Sequence, residues 1–190
     1  MKRRNMSLES WNIDRNWTLF LDRDGVINRR IVGGYVTRWD EFEFLPGVPE
    51  ALKILAKRFG RIIVVSNQQG IGKGLMSEAD LALIHNSMLR QIEGFRGRID
   101  LVLHSPHLKS DGSPMRKPGI GMAIEAKRVF PEIDFRRSLM AGDSESDLLF
   151  GRNAGMKTVL ICDDPGTEDA LDGLFDISFR DLYSFAVAIK

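Results

Sequence analysis

Short apolar runs alternate along this chain with segments in which apolar residues recur every three or four positions. Apolar runs bounded by polar and glycine-rich segments are typical of buried strands. The strands predicted in this way are 18–22, 61–66, 100–104, 138–141 and 157–161, with an edge strand near 176–179. The predicted helices are 48–58, 78–92, 119–129, 146–153 and 180–189. Regular alternation of strand and helix predicts an α/β fold, a Rossmann-like parallel sheet with helices on both faces.

Two of the predicted helices have a clear start signal. The segments 77–80 and 178–181 each open with Ser and end with Asp, which resembles a capping box with Asp in place of the usual Glu. After the first of them, apolar residues at helical spacing predict a face packed into the core: Leu81, Ile84, Met88 and Ile92.

The end of the first predicted strand carries the most informative polar pattern of the chain. The apolar run 18–21 is followed by Asp22, Arg23, Asp24 and Gly25. Two carboxylates about 4 Å apart repel each other by roughly 4 kcal/mol at an effective dielectric of about 20, so a cation or a shared proton is needed to offset the repulsion. Gly25 permits the backbone angles of a turn away from such a site. The alternative is an ordinary strand that ends in an Asp-Gly turn.

The composition of the chain says more about its binding partners than about its fold. The chain has 27 basic and 26 acidic residues and a formal net charge of +1, so no charge excess points to nucleic acid or to an anionic membrane. Cys162 is the single cysteine, which excludes an internal disulfide and fits a reducing compartment. No apolar run approaches the roughly 20 residues that span a bilayer, and no apolar signal region follows the basic N-terminus. We expect a cytoplasmic monomer.

The chain divides into a short lead-in and one domain. Residues 1–16 are polar and aperiodic, and we predict a partly disordered segment that Trp11 and Trp17 attach to the body of the protein. Residues 17–190 are predicted to form a single domain that is large enough to bury a sizeable core.

Four segments of the chain resemble, in order, the motifs of the haloacid dehalogenase superfamily of phosphotransferases. The segments are 22–28, 62–68, 116–118 and 139–147. The resemblance implies that Asp22 is the nucleophile, that Asp24 is a general acid and base, and that Lys117 binds phosphate. Ligands of open parallel sheets bind beyond the carboxyl ends of the strands, which is where the first, second and fourth segments fall.

The same resemblance implies a phosphate and metal site built from oxygen and amide groups. The Ser66 hydroxyl and the backbone amides of Asn67 and Gln68 are expected to contact phosphate. The metal-ligand candidates are Asp22, the backbone carbonyl of Asp24, Asp143 and Asp147. Oxygen ligands of this kind suit Mg²⁺.

Each of these positions also has an ordinary structural interpretation. The segment 66–68 could be a strand-to-loop turn, and Lys117 could be a solvated loop residue. Asp143 could belong to a turn, and Asp147 could be a helix-start charge that the macrodipole favours. We interpret Gly70, Gly72 and Gly74 as loop flexibility with some phosphate contact, not as a dinucleotide site, and we expect His85 to be structural and Cys162 to be a small buried hydrophobe.

A finer resemblance is to D,D-heptose 1,7-bisphosphate phosphatases and the related histidinol-phosphatases. It rests on the motif segments together with 34–36, 42–44, 46–48 and 66–74. Helices and loops already fill the intervals between motifs, so we predict a haloacid-dehalogenase-like core without a separate cap domain. Short loops such as 28–39 then shape an open site, with Gly34 and Tyr35 on one side of the substrate and Arg116 on the other.

One departure from the family concerns its zinc loop, which carries Cys-x-His and then Cys-x-Cys. This chain has Ser105 and His107 at the first pair and Ser113 and Met115 at the second. One remaining ligand cannot make a structural zinc site, so we predict that no zinc is bound. His107 is left as either a substrate contact or a solvated loop residue.

The leading hypothesis is a Mg²⁺-dependent phosphatase that acts on a small phosphorylated sugar. The expected substrate is D-glycero-D-manno-heptose 1,7-bisphosphate, cleaved to the 1-phosphate in surface-polysaccharide precursor synthesis. The alternatives are a histidinol-phosphate phosphatase, a nucleic-acid 3′-end phosphatase and a non-catalytic phospholigand-binding module. The balanced charge weighs against nucleic acid, and the intact Asp22, Asp24, Lys117 and Asp143 weigh against the non-catalytic module.

Overall fold

The computed structural model describes residues 8–189, and its centre is a parallel sheet of six strands. The strands are β1 (Thr18–Leu21), β2 (Arg61–Asn67), β3 (Leu101–Ser105), β4 (Ser138–Gly142), β5 (Lys157–Ile161) and β6 (Ile177–Phe179). They lie in the order β3-β2-β1-β4-β5-β6, and every neighbouring pair is parallel. All the predicted strands, including the edge strand, are therefore confirmed.

The helices follow the strands along the chain. They are α1 (Val48–Arg58), α2 (Gln69–Gly72), α3 (Glu78–Gly94), α4 (Gly121–Val129), α5 (Glu145–Asn153), α6 (Pro165–Ala170) and α7 (Leu182–Ala188). Short 3-10 turns lie at Leu8–Trp11, Trp39–Glu41, Lys109–Asp111 and Phe135–Arg137. No helix in the described part of the chain is long and apolar enough to cross a membrane.

Helices cover both faces of the sheet because successive strand residues face opposite sides. Leu19 and Leu21 of β1 belong to a buried cluster that includes residues of α1, α3 and α7. Phe20, between them, belongs to a second cluster with residues of α4 and α5. Its ring meets that of Phe150 edge-on, with 6.3 Å between the ring centroids. The predicted Rossmann-like arrangement is confirmed, and no cap domain is inserted between the described elements.

The first predicted capping box is confirmed and the second is wrong. Ser77 Oγ accepts a hydrogen bond from the Asp80 amide at 3.1 Å, and the Asp80 carboxylate accepts one from the Ser77 amide at 2.9 Å. Ser178 instead lies in β6, where it is paired with Leu160 of β5. Asp181 itself caps α7, since its carboxylate accepts from the Ser184 amide at 2.6 Å.

Residues at the N-terminal side pack against the domain. Leu8 and Trp11 are buried members of the first core cluster, as is Trp17. The described part of the predicted lead-in therefore contributes to the core. Residues 1–7, where the remainder of that prediction falls, lie outside the described residues.

Two smaller sequence predictions are corrected. Gly70 and Gly72 lie in the short helix α2, where a loop was predicted. Cys162 is partly exposed and not a buried hydrophobe, because it follows the end of β5 and takes part in a turn with Asp164.

Candidate active site

The carboxyl ends of β1, β2 and β4 converge on one cavity of about 520 Å³. The predicted site residues that line it are Asp22, Asp24, Gly34, Tyr35, Ser66, Asn67, Gln68, Arg116, Lys117 and Asp147. Asp143 faces a neighbouring cavity, but a carboxylate oxygen of Asp143 lies within 4.8 Å of oxygens of Asp22 and Asp147. The folded chain thus gathers the residues that the motifs singled out.

Lys117 lies at the centre of the site, between two carboxylates. Its Nζ is 2.7 Å from Asp22 Oδ1 and 2.6 Å from Asp147 Oδ1, and it donates to the backbone carbonyl of Val65 at 2.7 Å. Burial alone would lower the pKa of Lys117, but the two carboxylates raise it above its usual value. The ammonium group is therefore a fixed positive charge beside the proposed nucleophile.

Asn67 fixes the backbone of the segment that carries Lys117. Its Nδ2 donates to the Lys117 carbonyl at 3.1 Å, and its Oδ1 accepts from the Lys117 amide at 3.0 Å. The side chain at the end of β2 therefore positions a residue that lies 50 positions further along the chain. This role was not predicted from the sequence.

Asp24 is held by donors on both of its carboxylate oxygens. Arg23 donates to the two oxygens at 2.9 and 3.0 Å, Asn28 donates at 3.0 Å and Gln68 at 2.7 Å. Burial would raise the pKa of Asp24, but the Arg23 charge and these hydrogen bonds outweigh it, so the pKa lies below its usual value. Asp24 is ionised before substrate arrives.

The guanidinium of Arg23 is fully buried and is itself positioned from the far side. Its NH1 lies 3.1 Å from Nε2 of His85, on α3. Burial and the Arg23 charge lower the pKa of His85 to about 3, so the ring is neutral and accepts the hydrogen bond. The structural role predicted for His85 is thus the support of Arg23.

Gln68 contacts the site through its side chain and not through its backbone. Its amide donates to the Ser105 carbonyl at 2.8 Å, so the expectation that this amide contacts phosphate is wrong. Its Nε2 reaches Ser66 Oγ at 2.7 Å as well as Asp24. Parallel pairing of β2 with β3 places Asn67 opposite Ser105, which brings the following amide to that carbonyl.

Asp22, Asp143 and Asp147 form an acidic cluster in which Asp22 and Asp147 are buried and Asp143 is partly buried. Burial and the charge of Asp147 raise the pKa of Asp22 to about 6, and burial and the charge of Asp22 raise the pKa of Asp143 to about 8. Lys117 and Arg30 pair with these three carboxylates, so the cluster holds one more acidic group than it has cations. An oxygen-rich site with uncompensated negative charge fits a hard divalent cation such as Mg²⁺.

Asp147 fits the role of a partner for Lys117 better than that of a metal ligand. Its Oδ1 is paired with Lys117, and its Oδ2 accepts from the amide and the hydroxyl of Ser144 at 3.1 and 2.6 Å. Both oxygens are therefore already engaged at the start of α5. Asp22 and Asp143 are each paired through Oδ1 alone, with Lys117 and Arg30, so they and the Asp24 carbonyl are better candidates for ligands than Asp147, which is engaged through both oxygens.

Comparisons with known proteins agree with this geometry. A family model described as HAD-hydrolase-like matches residues 114–176. The D-glycero-alpha-D-manno-heptose-1,7-bisphosphate 7-phosphatase of Mycobacterium bovis is 40% identical over 173 residues, which cover 91% of each chain. The chain belongs to this phosphatase family. The enzyme of the same name from Campylobacter jejuni is 35% identical, with 86% of this chain and 90% of the relative covered.

The fold of this family is also seen in a solved structure. D,D-heptose 1,7-bisphosphate phosphatase from B. bronchiseptica, complexed with magnesium and phosphate, superposes with a TM-score of 0.82 and 31% identity. The match covers 90% of this chain and 96% of that one. The family, fold class and enzyme class predicted from the motifs are confirmed.

The outer wall of the cavity holds residues that the family motifs did not single out. Tyr35 Oη accepts hydrogen bonds from Gln69 Nε2 at 2.8 Å and from Lys73 Nζ at 2.9 Å. Gln69 and Lys73 fall in the segment 66–74, so the family resemblance could have suggested them. Arg30 also lines the wall, and no sequence pattern pointed to it.

Arg116 and Lys117 both line the cavity, at different depths. Lys117 is buried beside Asp22, whereas Arg116 lies on the outer wall and donates to the His107 carbonyl at 3.2 Å. The backbone carbonyl of His107 thus helps to position Arg116. The ring nitrogen Nδ1 of His107 lies 3.2 Å from Ser105 Oγ.

Proposed function

We propose that this protein is a Mg²⁺-dependent phosphatase that converts D-glycero-D-manno-heptose 1,7-bisphosphate to the 1-phosphate in surface-polysaccharide precursor synthesis. The observation that carries the proposal is the buried Asp22–Lys117–Asp147 arrangement beside Asp143, at the carboxyl ends of the strands. The names of the relatives support the choice of substrate. Cytoplasmic location and a monomeric state remain predictions.

In the first step, Asp22 attacks the phosphorus of the 7-phosphate. A bond forms between its carboxylate oxygen and phosphorus, and the bond between phosphorus and the sugar oxygen breaks. Lys117 holds Asp22 Oδ1 at 2.7 Å and places a positive charge beside the developing transition state. The product of this step is an aspartyl-phosphate and an alcohol.

Asp24 acts as the general acid in the first step and as the general base in the second. It donates a proton to the leaving sugar oxygen, and in the second step it accepts a proton from the water that attacks the aspartyl-phosphate. The pKa of Asp24 lies below its usual value in the substrate-free protein. A phosphate dianion bound next to it raises its affinity for a proton, because like charges disfavour the ionised form.

The Asp22 and Asp143 carboxylates and the Asp24 carbonyl would hold Mg²⁺. The ion supplies charge neutralisation for the phosphoryl oxygens. Ser66 lines the same end of the cavity and offers a hydroxyl to the phosphoryl group. Lys117 remains the fixed protein charge on the other side of Asp22.

The cationic outer wall favours a bisphosphate over histidinol phosphate. Lys73 and Arg116 line the cavity outside the reacting end, and Arg30 lines it beside Asp143. Arg binds phosphate well through its planar pair of donors, so this wall suits a second phosphate on the substrate. Histidinol phosphate would instead bring a cationic amine toward these cations. Gly34 and Tyr35 complete the proposed sugar-binding side.

A substrate panel tests the proposed function. Phosphate release is measured with Mg²⁺ for both anomers of the heptose bisphosphate, histidinol phosphate and a 3′-phosphorylated oligonucleotide. We expect the highest kcat/KM for one heptose bisphosphate anomer, and no release by Asp22→Asn prepared in the same way. Preference for histidinol phosphate or the oligonucleotide would overturn the substrate assignment. Absence of turnover on all substrates would favour a non-catalytic module.

A further inference from the structure

Arg30 occupies a position between two groups that the proposed function assigns to the metal. Its NH2 lies 2.6 Å from Asp143 Oδ1 and 3.1 Å from the backbone carbonyl oxygen of Asp24. One guanidinium nitrogen therefore bridges two of the three oxygen ligands proposed for Mg²⁺.

We propose that Arg30 is a built-in counter-cation that competes with Mg²⁺ for the metal site. In the metal-free protein it neutralises part of the carboxylate cluster, and metal binding displaces it toward the substrate cavity. The proposal rests on the proposed metal site but not on the identity of the sugar.

Size and charge prevent both cations from using the same oxygens. Mg²⁺ needs its ligands at about 2.0–2.1 Å in near-octahedral geometry, and a guanidinium nitrogen that already lies 2.6 Å from Asp143 Oδ1 occupies the approach to that oxygen. Two positive charges at such a short distance also repel each other. Binding of the metal to Asp143 Oδ1 and to the Asp24 carbonyl therefore requires Arg30 NH2 to leave these two oxygens.

Arg30 is able to move, whereas Lys117 is held in place. The Arg30 side chain is 48% exposed, and the Lys117 side chain is 2% exposed and is held between two carboxylates. A half-exposed arginine exchanges its partners at little cost, because water can solvate the guanidinium along its path. Displacement of Arg30 thus leaves the ion pairs of Lys117 with Asp22 and Asp147 intact.

The direction of displacement is set by the walls around Arg30. Its side chain lines both the substrate cavity, with Gly34, Tyr35 and Arg116, and the neighbouring cavity that contains Asp143. Movement away from Asp143 toward the substrate side brings a second guanidinium near Arg116. In the metal-loaded protein, Arg30 then contacts an anionic group of the substrate or product.

The neighbouring Arg29 provides a matched control. Its ion pair with Glu43 is exposed at both ends, with side-chain exposures of 60% and 62%. Asp143, the partner of Arg30, is only 16% exposed. Arg29→Ala removes an arginine one position away without touching the carboxylate cluster.

The test is a calorimetric titration of metal-free protein with Mg²⁺ in the absence of substrate. We expect Arg30→Ala to tighten Mg²⁺ binding by about three- to fivefold, since removal of a half-exposed ion pair removes the competitor. The melting temperature of metal-free Arg30→Ala should fall below wild type, and Mg²⁺ should reduce that difference. Arg29→Ala should match wild type in Mg²⁺ affinity.

Unchanged or weaker Mg²⁺ binding by Arg30→Ala would overturn competition with the metal. A second titration, of Mg²⁺-loaded protein with inorganic phosphate, tests the displaced position, and we expect weaker binding by Arg30→Ala than by Arg29→Ala. Equal binding by both variants would overturn the anion contact. The Mg²⁺ titration contains no substrate, so its result is independent of the substrate panel.

Discussion

At the scale of single residues, the main feature of the site is that its acidic groups have different charge partners. Asp22 and Asp147 share Lys117, whereas Asp24 is bound by a separate arginine, Arg23. Burial and the charge of Asp147 act on the pKa of Asp22, whereas Arg23 acts on the pKa of Asp24, so the two neighbouring carboxylates differ in pKa. The pKa of Asp22 is raised to about 6, and that of Asp24 is lowered. Different environments for two nearby carboxylates are typical of a nucleophile and a general acid or base.

Replacement of Arg23 by Met should affect catalysis through Asp24. The guanidinium is fully buried, and its loss leaves Asp24 with fewer partners, so the pKa of Asp24 should rise. We expect kcat to fall by about 10²-fold and the acid limb of the pH–rate profile to move to higher pH.

Comparison with Arg23→Lys separates a role of Arg23 in positioning Asp24 from a contribution to stability alone. This variant retains the charge but not the two-pronged contact. If both variants keep the wild-type pH profile while losing only thermal stability, Arg23 has a purely structural role.

The acidic and basic residues that belong to a family motif could be predicted from the sequence. Residues whose role depends on a tertiary contact could not. Asp22, Asp24 and Lys117 were found because they belong to motifs that follow one another in a family order, with Asp22 and Asp24 at the end of a strand. Arg30 was missed because its partner, Asp143, is 113 positions away and no local pattern links the two. The second role of Asn67 was missed for the same reason.

At the scale of elements, the site depends on how the end of β2 holds the segment that carries Lys117. The paired hydrogen bonds of Asn67 join these two parts of the chain. The strands themselves were predictable, because the apolar runs that form them are buried on both faces. The helix α2 was not, since Gly70 and Gly72 disfavour a helix locally and tertiary packing decides its conformation.

Replacement of Asn67 by Ala should loosen Lys117 without removing it. We expect kcat to fall by roughly 10- to 100-fold, because small displacements of a positioned group reduce catalysis strongly. The free energy of unfolding should fall by about 1–3 kcal/mol, since partners are left unsatisfied. Steady-state kinetics and urea unfolding measure the two effects.

Asn153→Ala serves as the matched control for this prediction. Asn153 Nδ2 donates to the Pro118 carbonyl at 3.1 Å, next to Lys117 but at an exposed position. It should retain wild-type kcat. Equal losses in the two variants would contradict a specific role for Asn67.

At the scale of the whole molecule, charge is balanced overall but concentrated at the site. The net charge of +1 gives no general attraction for polyanions. Inside, carboxylate oxygens of Asp22, Asp143 and Asp147 lie within 4.8 Å of one another, and their repulsion opposes folding when no metal is bound. Stability and metal binding are therefore coupled in this protein.

The coupling predicts a pH dependence of stability for the metal-free protein. Asp22 and Asp143 have folded pKa values of about 6 and about 8, both above the usual 3.8. The folded state therefore binds more protons than the unfolded state between pH 4 and 8. Stability from these groups is fully present below about pH 4 and is lost as the pH rises through about 6 and then about 8.

Melting curves with and without Mg²⁺ measure this effect. We expect the stabilisation by Mg²⁺ to grow from pH 5 to pH 8, because the ion binds the deprotonated carboxylates. Asp143→Asn should show a flatter pH dependence and a smaller response to Mg²⁺. An identical Mg²⁺ response at both pH values would contradict the charge account of the cluster.

The most direct test of the central claim is a search for the phosphoryl group on Asp22 by mass spectrometry. Wild-type protein and Asp24→Ala are mixed with heptose bisphosphate and Mg²⁺, quenched in acid and digested. We predict a phosphorylated peptide that contains Asp22, with more of it in Asp24→Ala because hydrolysis of the intermediate is slowed. The peptide should be unmodified in Asp22→Asn. Phosphate release by wild type with no such adduct, or full turnover by Asp22→Asn, would contradict the account.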